Sequence, residues 1–245
     1  MLRPLRWLAP PLLVLATLFL YPLLLIAEQA LSTPHGGMGL ESLWQVVESR
    51  RFTGALINTL QIAFFATAGC LLLGSVLSLI LVFIPFPGSE LIGRVVDTFI
   101  ALPTFLITLA FTFIYGSAGL LNGTLMQLFG FELPPVSFLY SLQGVILAEI
   151  TVFTPGHAPA DGRPAANRQK SAGGRQHPGA RPHQIIARVI FPAALPALLA
   201  GGSLCLLLTT NEFGIVLFIG AKGVNTLPMM VYSKAILSRI TASPV

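Results

Sequence analysis

The chain has 245 residues, of which 54% are hydrophobic and only 9% are charged, and its mean hydropathy is +0.82. Because soluble domains carry about 25% charged residues, this composition excludes an ordinary water-soluble domain and indicates an integral membrane protein. The net charge of +5 does not indicate a nucleic-acid partner, because the basic residues lie between apolar stretches.

Five apolar stretches are long enough to cross a bilayer, which takes about 20 residues of helix. Their approximate bounds are Leu8–Leu31, Ala55–Ile84, Leu91–Tyr115, Ser137–Pro155 and Ala193–Ala221. The sequence therefore predicts an all-α integral membrane protein with about five transmembrane helices. We divide it into residues 1–54, which hold an N-terminal helix and a periplasmic loop, and residues 55–245, a core transmembrane domain. We expect the core domain to contain an atypical cytoplasmic loop at residues 156–192 and a truncated C-terminus.

The first stretch follows Arg3 and Arg6, as the apolar part of a secretory signal peptide would. It is longer than the roughly 7–15 residues typical of a cleaved signal, so we expect it to be retained as a membrane helix. A cytoplasmic N-terminus then places nine basic residues inside and five outside, which fits the positive-inside rule. The inner nine are Arg3, Arg6, Arg94, Arg163, Arg168, Lys170, Arg175, Arg181 and Arg188, and the outer five are Arg50, Arg51, Lys222, Lys234 and Arg239.

Polar residues inside the apolar stretches are the candidates for a translocation path, because carboxylates at membrane depth usually face a protein interior or water. Thr209, Thr210, Asn211 and Glu212 follow one another inside the fifth stretch and cover more than one helix face. We expect them to line a translocation path or an interhelix contact rather than only to mark a kink. Glu149, near the inner end of the fourth stretch, is a candidate for the same path, and simple access to water is an equal alternative.

Proline and glycine residues predict irregular or close-packed helices. Pro103 and Pro196 are expected to bend or open the helices that contain them. Gly201 and Gly202 would allow a neighbouring helix to approach closely. Both features are common in transport proteins and in membrane proteins generally.

Signatures of catalysis are missing from the sequence. It contains no HExxH, GxSxG, paired CxxC or GxxxxGK[ST] motif, and Cys70 and Cys205 lie far apart in apolar runs. The four histidines, which have no metal-ligand grouping, are His35, His157, His177 and His183. We therefore predict no catalytic residue, metal site or cofactor. If ATP drives transport, a separate polypeptide must hydrolyse it.

The segment "GARPHQIIARVIFPAALP", Gly179–Pro196, resembles the cytoplasmic loop of binding-protein-dependent ABC importer permeases. That family has Glu-Ala-Ala, three residues, Gly, nine residues and then Ile-x-Leu-Pro. Here Gly179 is followed by nine residues and then by Val-Ile-Phe-Pro at residues 189–192. The segment "NTLQIA", Asn58–Ala63, is similar to the opening of the family's core. Over residues 8–28, 55–155 and 179–237 the chain looks most like the permeases of 2-aminoethylphosphonate importers.

The resemblance implies one subunit of an ATP-driven importer in a bacterial inner membrane, with a cytoplasmic N-terminus. The implied coupling-loop residues, which would dock on the ATP-binding subunit, are Gly179, Val189, Phe191 and Pro192. The other implied partners are a second permease subunit, a periplasmic substrate-binding protein and membrane lipid, with no nucleic acid. The implied function is passage of 2-aminoethylphosphonate or a similar small solute. The alternatives are a permease for a polyamine or an iron chelate, and a non-transporting remnant of such a permease.

The loop before Gly179 departs from the family pattern. Residues 156–183 contain no Val, Ile, Leu, Met, Phe, Trp or Tyr, and Gly173, Gly174 and Arg175 stand where the family has Glu-Ala-Ala. Two glycines there would weaken a helix. When suitable synonymous codons for this segment are read one base later, they encode an amphipathic segment. That segment has Glu-Val-Ala at the family's spacing before Gly179. We infer a frame change near Gly156 and a compensating one near Pro178, against the alternative of a natural flexible basic loop.

The end of the sequence, Ser238–Val245, also gives residues typical of the family when suitable codons for it are read one base away. The family usually has one more membrane helix after this point. We therefore expect the chain to lack its last helix.

Sequencing the gene tests the inferred frame change directly. We expect codons across residues 156–178 that, read one base later, encode an amphipathic segment with Glu-Val-Ala before Gly179. Codons that cannot give that reading would remove the hypothesis and leave the flexible basic loop.

Overall fold

The computed structural model describes residues 3–32, 39–83, 87–100, 102–154, 188 and 191–242. These residues form α-helices and one short 3-10 helix, Phe138–Tyr140, and they contain no strand. The predicted all-α class is therefore confirmed. The α-helices, numbered in chain order, are α1 (Arg3–Leu31), α2 (Glu41–Glu48), α3 (Arg50–Phe83), α4 (Ser89–Ile100), α5 (Thr104–Tyr115), α6 (Leu120–Phe129), α7 (Leu142–Phe153), α8 (Phe191–Asn211), α9 (Gly214–Ile219) and α10 (Leu227–Ala242).

Four helical stretches in the described part of the chain are long and apolar enough to cross a membrane. A fifth helix, α7, is apolar but shorter. These five features confirm the predicted fold class of about five membrane helices. The four long stretches are Pro10–Leu31, Arg50–Leu81, Thr104–Phe129 and Phe191–Asn211.

The predicted third span is not one continuous helix. α4 ends at Ile100, and α5 begins at Thr104 with Pro103 as its N-cap. Proline has no backbone N–H to donate, and it disfavours helical angles in the residue before it. The expected opening at Pro103 is thus confirmed, and the long apolar stretch runs from α5 into α6 instead. Pro196 lies within α8, which continues through it.

The predicted fifth span is also divided. α8 ends at Asn211, Glu212 and Phe213 are not helical, and α9 begins at Gly214. The break coincides with the polar run Thr209–Glu212, which we expected to lie inside one helix. At the break, the Glu212 side chain accepts a hydrogen bond from the backbone N–H of Ile215, the second residue of α9.

The described chain divides into two compact units, Met1–Gly54 and Ala55–Val245. In the first unit α1 packs against α2. From Pro10 onward α1 exposes nearly all of its apolar side chains, including Leu13 at 69% and Leu24 at 67%. A helix that is apolar on every side needs lipid or another protein around it.

The core of the second unit is formed mainly by α5, α7 and α9. Each helix presents residues three or four positions apart, the spacing that places side chains on one helix face. α9 packs against both α5 and α7. The core residues are Ile62, Ile107, Phe111, Leu139, Val145, Ala148, Val152, Ile215, Val216, Ile219 and Val224.

Two glycines bring α3 close to its neighbours. A Cβ on Gly202 of α8 would lie 3.1 Å from Cδ1 of Leu71, so the close approach expected at Gly202 is confirmed. A Cβ on Gly69 would lie 2.7 Å from Cγ1 of Ile150 on α7. α3 therefore packs against α7 and α8 through positions that lack a side chain.

The "NTLQIA" segment ties α3 to the beginning of α10. The Thr59 hydroxyl accepts a hydrogen bond from the backbone N–H of Leu227 at 2.9 Å and donates to Ala55 O at 2.8 Å. The Asn58 side-chain amide donates to Asn225 O at 3.0 Å. Leu227 is the first residue of α10, so Thr59 satisfies one of the backbone donors that a helix leaves open at its start.

Replacing Thr59 with valine is expected to destabilise the protein by about 1–3 kcal/mol, because the Leu227 N–H loses its partner in a poorly hydrated position. Thr59→Ser keeps the hydroxyl and serves as the matched control. Thermal unfolding in detergent measures both variants. A valine variant as stable as the wild-type protein would show that the hydrogen bond contributes nothing to stability.

Candidate functional site

Glu149 lies on the buried face of α7. The buried residues of that helix include Val145, Ala148, Glu149 and Val152, which are three or four positions apart and therefore share one face. An apolar residue would be expected at the position of Glu149. The helix instead places a carboxyl group among the core side chains.

The Glu149 carboxyl is fully enclosed. Its side chain is 0% exposed, and neither carboxyl oxygen has a hydrogen-bond partner among the described residues. The alternative that Glu149 simply reaches water is therefore wrong for this conformation. Burying a polar group without a partner is unfavourable, so this carboxyl is a candidate for binding a group that the chain itself does not supply.

Three helices meet around this carboxyl. Cys205 of α8 and Glu212, which follows α8, lie close enough to Glu149 to interact with it electrostatically. The Cys70 thiol of α3 contacts that of Cys205 and donates to Ile150 O at 3.7 Å. Both cysteines are buried and unoxidised. No group of three or more His, Cys, Asp and Glu side chains that could hold a metal ion occurs in the part of the chain described.

The polar run at the end of α8 divides between the interior and the surface. Thr209 is buried, whereas Thr210 and Asn211 are exposed. The Thr210 hydroxyl donates to Leu206 O at 2.6 Å, and the Asn211 amide donates to Leu207 O at 2.9 Å. These side chains bond to their own helix, which satisfies polar groups on an apolar helix without a second helix.

Glu212 is half-buried at the break between α8 and α9. Its Oε1 accepts a hydrogen bond from the backbone N–H of Ile215 at 3.1 Å. Of the five candidate path residues, the structure thus brings Glu149 and Glu212 into electrostatic range and buries Thr209. It places Thr210 and Asn211 on an exposed part of α8.

The candidate coupling-loop residues are described only in part. Gly179 and Val189 lie outside the described residues. Phe191 is the first residue of α8 and is 55% exposed. Pro192 follows it in the first turn of the helix. Backbone N–H groups in the first turn have no partner within the helix, so proline, which lacks this group, loses no hydrogen bond there.

Asn122 is a buried polar residue that sequence reasoning did not identify. Its amide nitrogen donates to Gly116 O at 2.9 Å and to Val136 O at 2.8 Å, and its Oδ1 accepts from Val136 N at 3.0 Å. It therefore joins α6 to the segments on either side of it. The sequence signal for this residue is a single asparagine in the apolar run "LLNGTL". Such an asparagine is equally typical of a solvent-exposed position on a helix.

Comparison with known proteins adds independent evidence. No model of a protein family matches the chain. The fold is similar to a chain in the crystal structure of a bacterial ABC transporter involved in the import of the acidic polysaccharide alginate. The TM-score is 0.67 at 16% identity, and the match covers 96% of this chain and 85% of the other.

Sequence similarity to proteins named as transport permeases decides the family. The chain is 78% identical over 241 residues to a protein of Salmonella typhimurium strain LT2, provisionally named a 2-aminoethylphosphonate transport system permease protein, PhnU. That match covers 96% of this chain and 83% of the relative. The chain belongs to the family of ABC importer permeases. The permease is also 27% identical over 209 residues to the sulfate transport system permease protein CysT of Salmonella typhimurium, with 84% of the permease and 72% of CysT covered.

These findings confirm the family that the loop and "NTLQIA" segments indicated. The permease is a membrane-embedded transport subunit with several apolar helices. The relatives are named as permeases rather than as enzymes.

Proposed function

We propose that the permease carries 2-aminoethylphosphonate across a bacterial inner membrane as one subunit of an ATP-driven importer. The observation that carries this proposal is the 78% identity, over 96% of the chain, to a protein named for 2-aminoethylphosphonate transport. The CysT relative, named for sulfate, is only 27% identical. The amine-bearing phosphonate is therefore the better-supported substrate.

The other subunits follow from this proposal. An ATP-binding subunit supplies the energy and contacts the loop that contains Gly179, Val189, Phe191 and Pro192. A second permease subunit completes the pathway, and a periplasmic binding protein delivers the solute. The N-terminus lies in the cytoplasm, which is the side that the excess of basic residues favours.

The chemistry of the candidate path suits this solute. 2-Aminoethylphosphonate has an ammonium group at one end and an anionic phosphonate at the other. The sequence has no Lys or Arg in residues 95–162 or 189–221, whereas these ranges contain Glu149 and Glu212. The two carboxyl groups would attract the ammonium end. The second amide N–H of Asn211 would offer a hydrogen-bond donor to the phosphonate, and the Thr209 and Thr210 hydroxyls would do so after turning away from Leu206 O.

Access to Glu149 requires movement. The carboxyl is enclosed where α3, α7 and α8 meet, so an ammonium group reaches it only when these helices separate. Closure of the ATP-binding subunits would provide the rigid-body movement that opens them.

Growth on 2-aminoethylphosphonate as the sole phosphorus source tests the proposal. A bacterial strain that has the partner subunits but no copy of this gene receives one of two versions. One version encodes the chain as it stands, and the other replaces residues 156–178 with the corresponding segment of the Salmonella relative. Growth on inorganic phosphate is the control for viability.

Each outcome of this experiment is informative. Growth with either version supports 2-aminoethylphosphonate as the substrate, and growth with the replaced segment alone also identifies residues 156–178 as the damaged part. Failure of both versions, with the protein present in the membrane, would overturn the proposal that this chain carries 2-aminoethylphosphonate and would favour the non-transporting remnant. Growth on a polyamine or with an iron chelate as nutrient source instead would support the alternative solutes.

A further inference from the structure

Helix α2 has one apolar face and one polar face. Leu40, Leu43, Trp44 and Val47 recur at the spacing of a single helix side, and Glu41, Gln45 and Glu48 lie opposite. Leu40 is 67% exposed, Trp44 64% and Val47 48%. The described residues thus leave this large apolar surface uncovered, although α2 packs against α1.

Both ends of α2 are held near the ends of membrane helices. The backbone N–H of Gly39, just before α2, donates to Leu31 O at 2.8 Å, and Leu31 is the last residue of α1. At the other end only Ser49, in an extended conformation, separates α2 from α3. The apolar span of α1 ends at Leu31, so the bond from Gly39 holds the start of α2 near the end of that span.

The length of α2 excludes a further membrane crossing. It has 8 residues and is therefore about 12 Å long, less than half the roughly 30 Å of the hydrocarbon core. Arg50 and Arg51 follow it, and both are exposed. Their long side chains can reach lipid phosphate groups from the start of α3.

We propose that α2 lies in the plane of the membrane interface, with the face formed by Leu40, Leu43, Trp44 and Val47 (the α2 apolar face) buried in lipid. Tryptophan favours this depth, because its ring is apolar and its indole N–H remains near polar headgroups. A short amphipathic helix joined to spanning helices at both ends is held there without needing strong lipid affinity of its own. The α2 apolar face thereby fixes the depth at which α1 ends in the bilayer.

Fluorescence quenching by brominated lipid tests this position. The chain contains two tryptophans, so Trp7→Phe leaves Trp44 as the only indole in the full-length protein. The variant is placed in lipid nanodiscs whose phospholipids carry bromine near the headgroup end or near the end of the acyl chain. A matched control combines Trp7→Phe, Trp44→Phe and Gln45→Trp, which moves the indole to the polar face of the same helix.

We expect bromine near the headgroup end to lower Trp44 fluorescence about two-fold, and bromine at the chain end to lower it much less, as for an indole at the interface. Aqueous iodide should quench the control at position 45 but not Trp44. Strong iodide quenching of Trp44 without lipid quenching would overturn the proposal. So would a Trp44 that becomes shielded only when the periplasmic binding protein is added, since the face would then bind protein.

Discussion

Replacing Glu149 with methionine is expected to raise the melting temperature of the permease by a few degrees and to lower 2-aminoethylphosphonate uptake about ten-fold or more. The buried carboxyl lacks a hydrogen-bond partner among the described residues, and an unsatisfied polar group costs about 1–3 kcal/mol. Methionine fills a similar space without polar oxygens. Uptake should fall because the ammonium group loses its ionic partner, and about 1.4 kcal/mol corresponds to ten-fold.

Two further variants separate charge from packing. Glu149→Gln keeps the shape and the buried polar atoms but removes the acid, so uptake should fall as with methionine while stability stays near the wild-type value. Glu132→Met, on an exposed residue between α6 and α7, should change neither. Thermal unfolding in detergent and uptake normalised to folded protein give the two readouts. A methionine variant that is markedly less stable, and transports in proportion to its folded fraction, would make Glu149 a packing residue only.

Gly144→Ala is expected to cost about 1–3 kcal/mol or more, the range for overpacking a core. Gly144 is buried near the start of α7. A Cβ there would lie 2.6 Å from both Cα and the carbonyl carbon of Leu139, whose side chain is 0% exposed. Backbone atoms cannot rotate away as a side-chain end can, so α7 and the adjoining 3-10 helix would have to separate. Uptake should fall as well, because α7 carries Glu149.

Gly123→Ala is the matched control for this steric effect. Gly123 also lies within a helix, α6, but a Cβ there would meet nothing within 4 Å. Alanine should therefore stabilise the protein slightly, by up to about 1 kcal/mol, through its higher helix propensity. Thermal unfolding distinguishes the two substitutions. If both glycines tolerated alanine equally, the close contact between Gly144 and Leu139 would not exist in the protein.

The sequence was sufficient for the fold class because long apolar runs have few structures available in a bilayer. The runs at residues 8–31 and 55–84 became α1 and α3 nearly as predicted. Pro103 was correctly expected to open its helix, since a missing N–H is a local property. The break after Asn211 was not foreseen, because it depends on the Glu212 side chain bonding to the backbone of Ile215.

The candidate site was only partly predictable for a similar reason. A carboxyl in an apolar run can be recognised from the sequence, but its surroundings cannot. Whether Glu149 reached water depended on how α3 and α8 pack over α7. Asn122 and Thr59 were missed because each binds residues distant in sequence, Val136 and Leu227 among them. Long-range hydrogen bonds leave no spacing pattern in a single sequence.

Uptake of radiolabelled 2-aminoethylphosphonate into proteoliposomes shows whether this permease carries the solute. The vesicles contain this permease with its ATP-binding subunit and second permease subunit, and the periplasmic binding protein is added outside. We expect uptake that requires both ATP and this chain. Excess sulfate should not reduce that uptake. ATP-driven uptake that is unchanged when this chain is left out would contradict it.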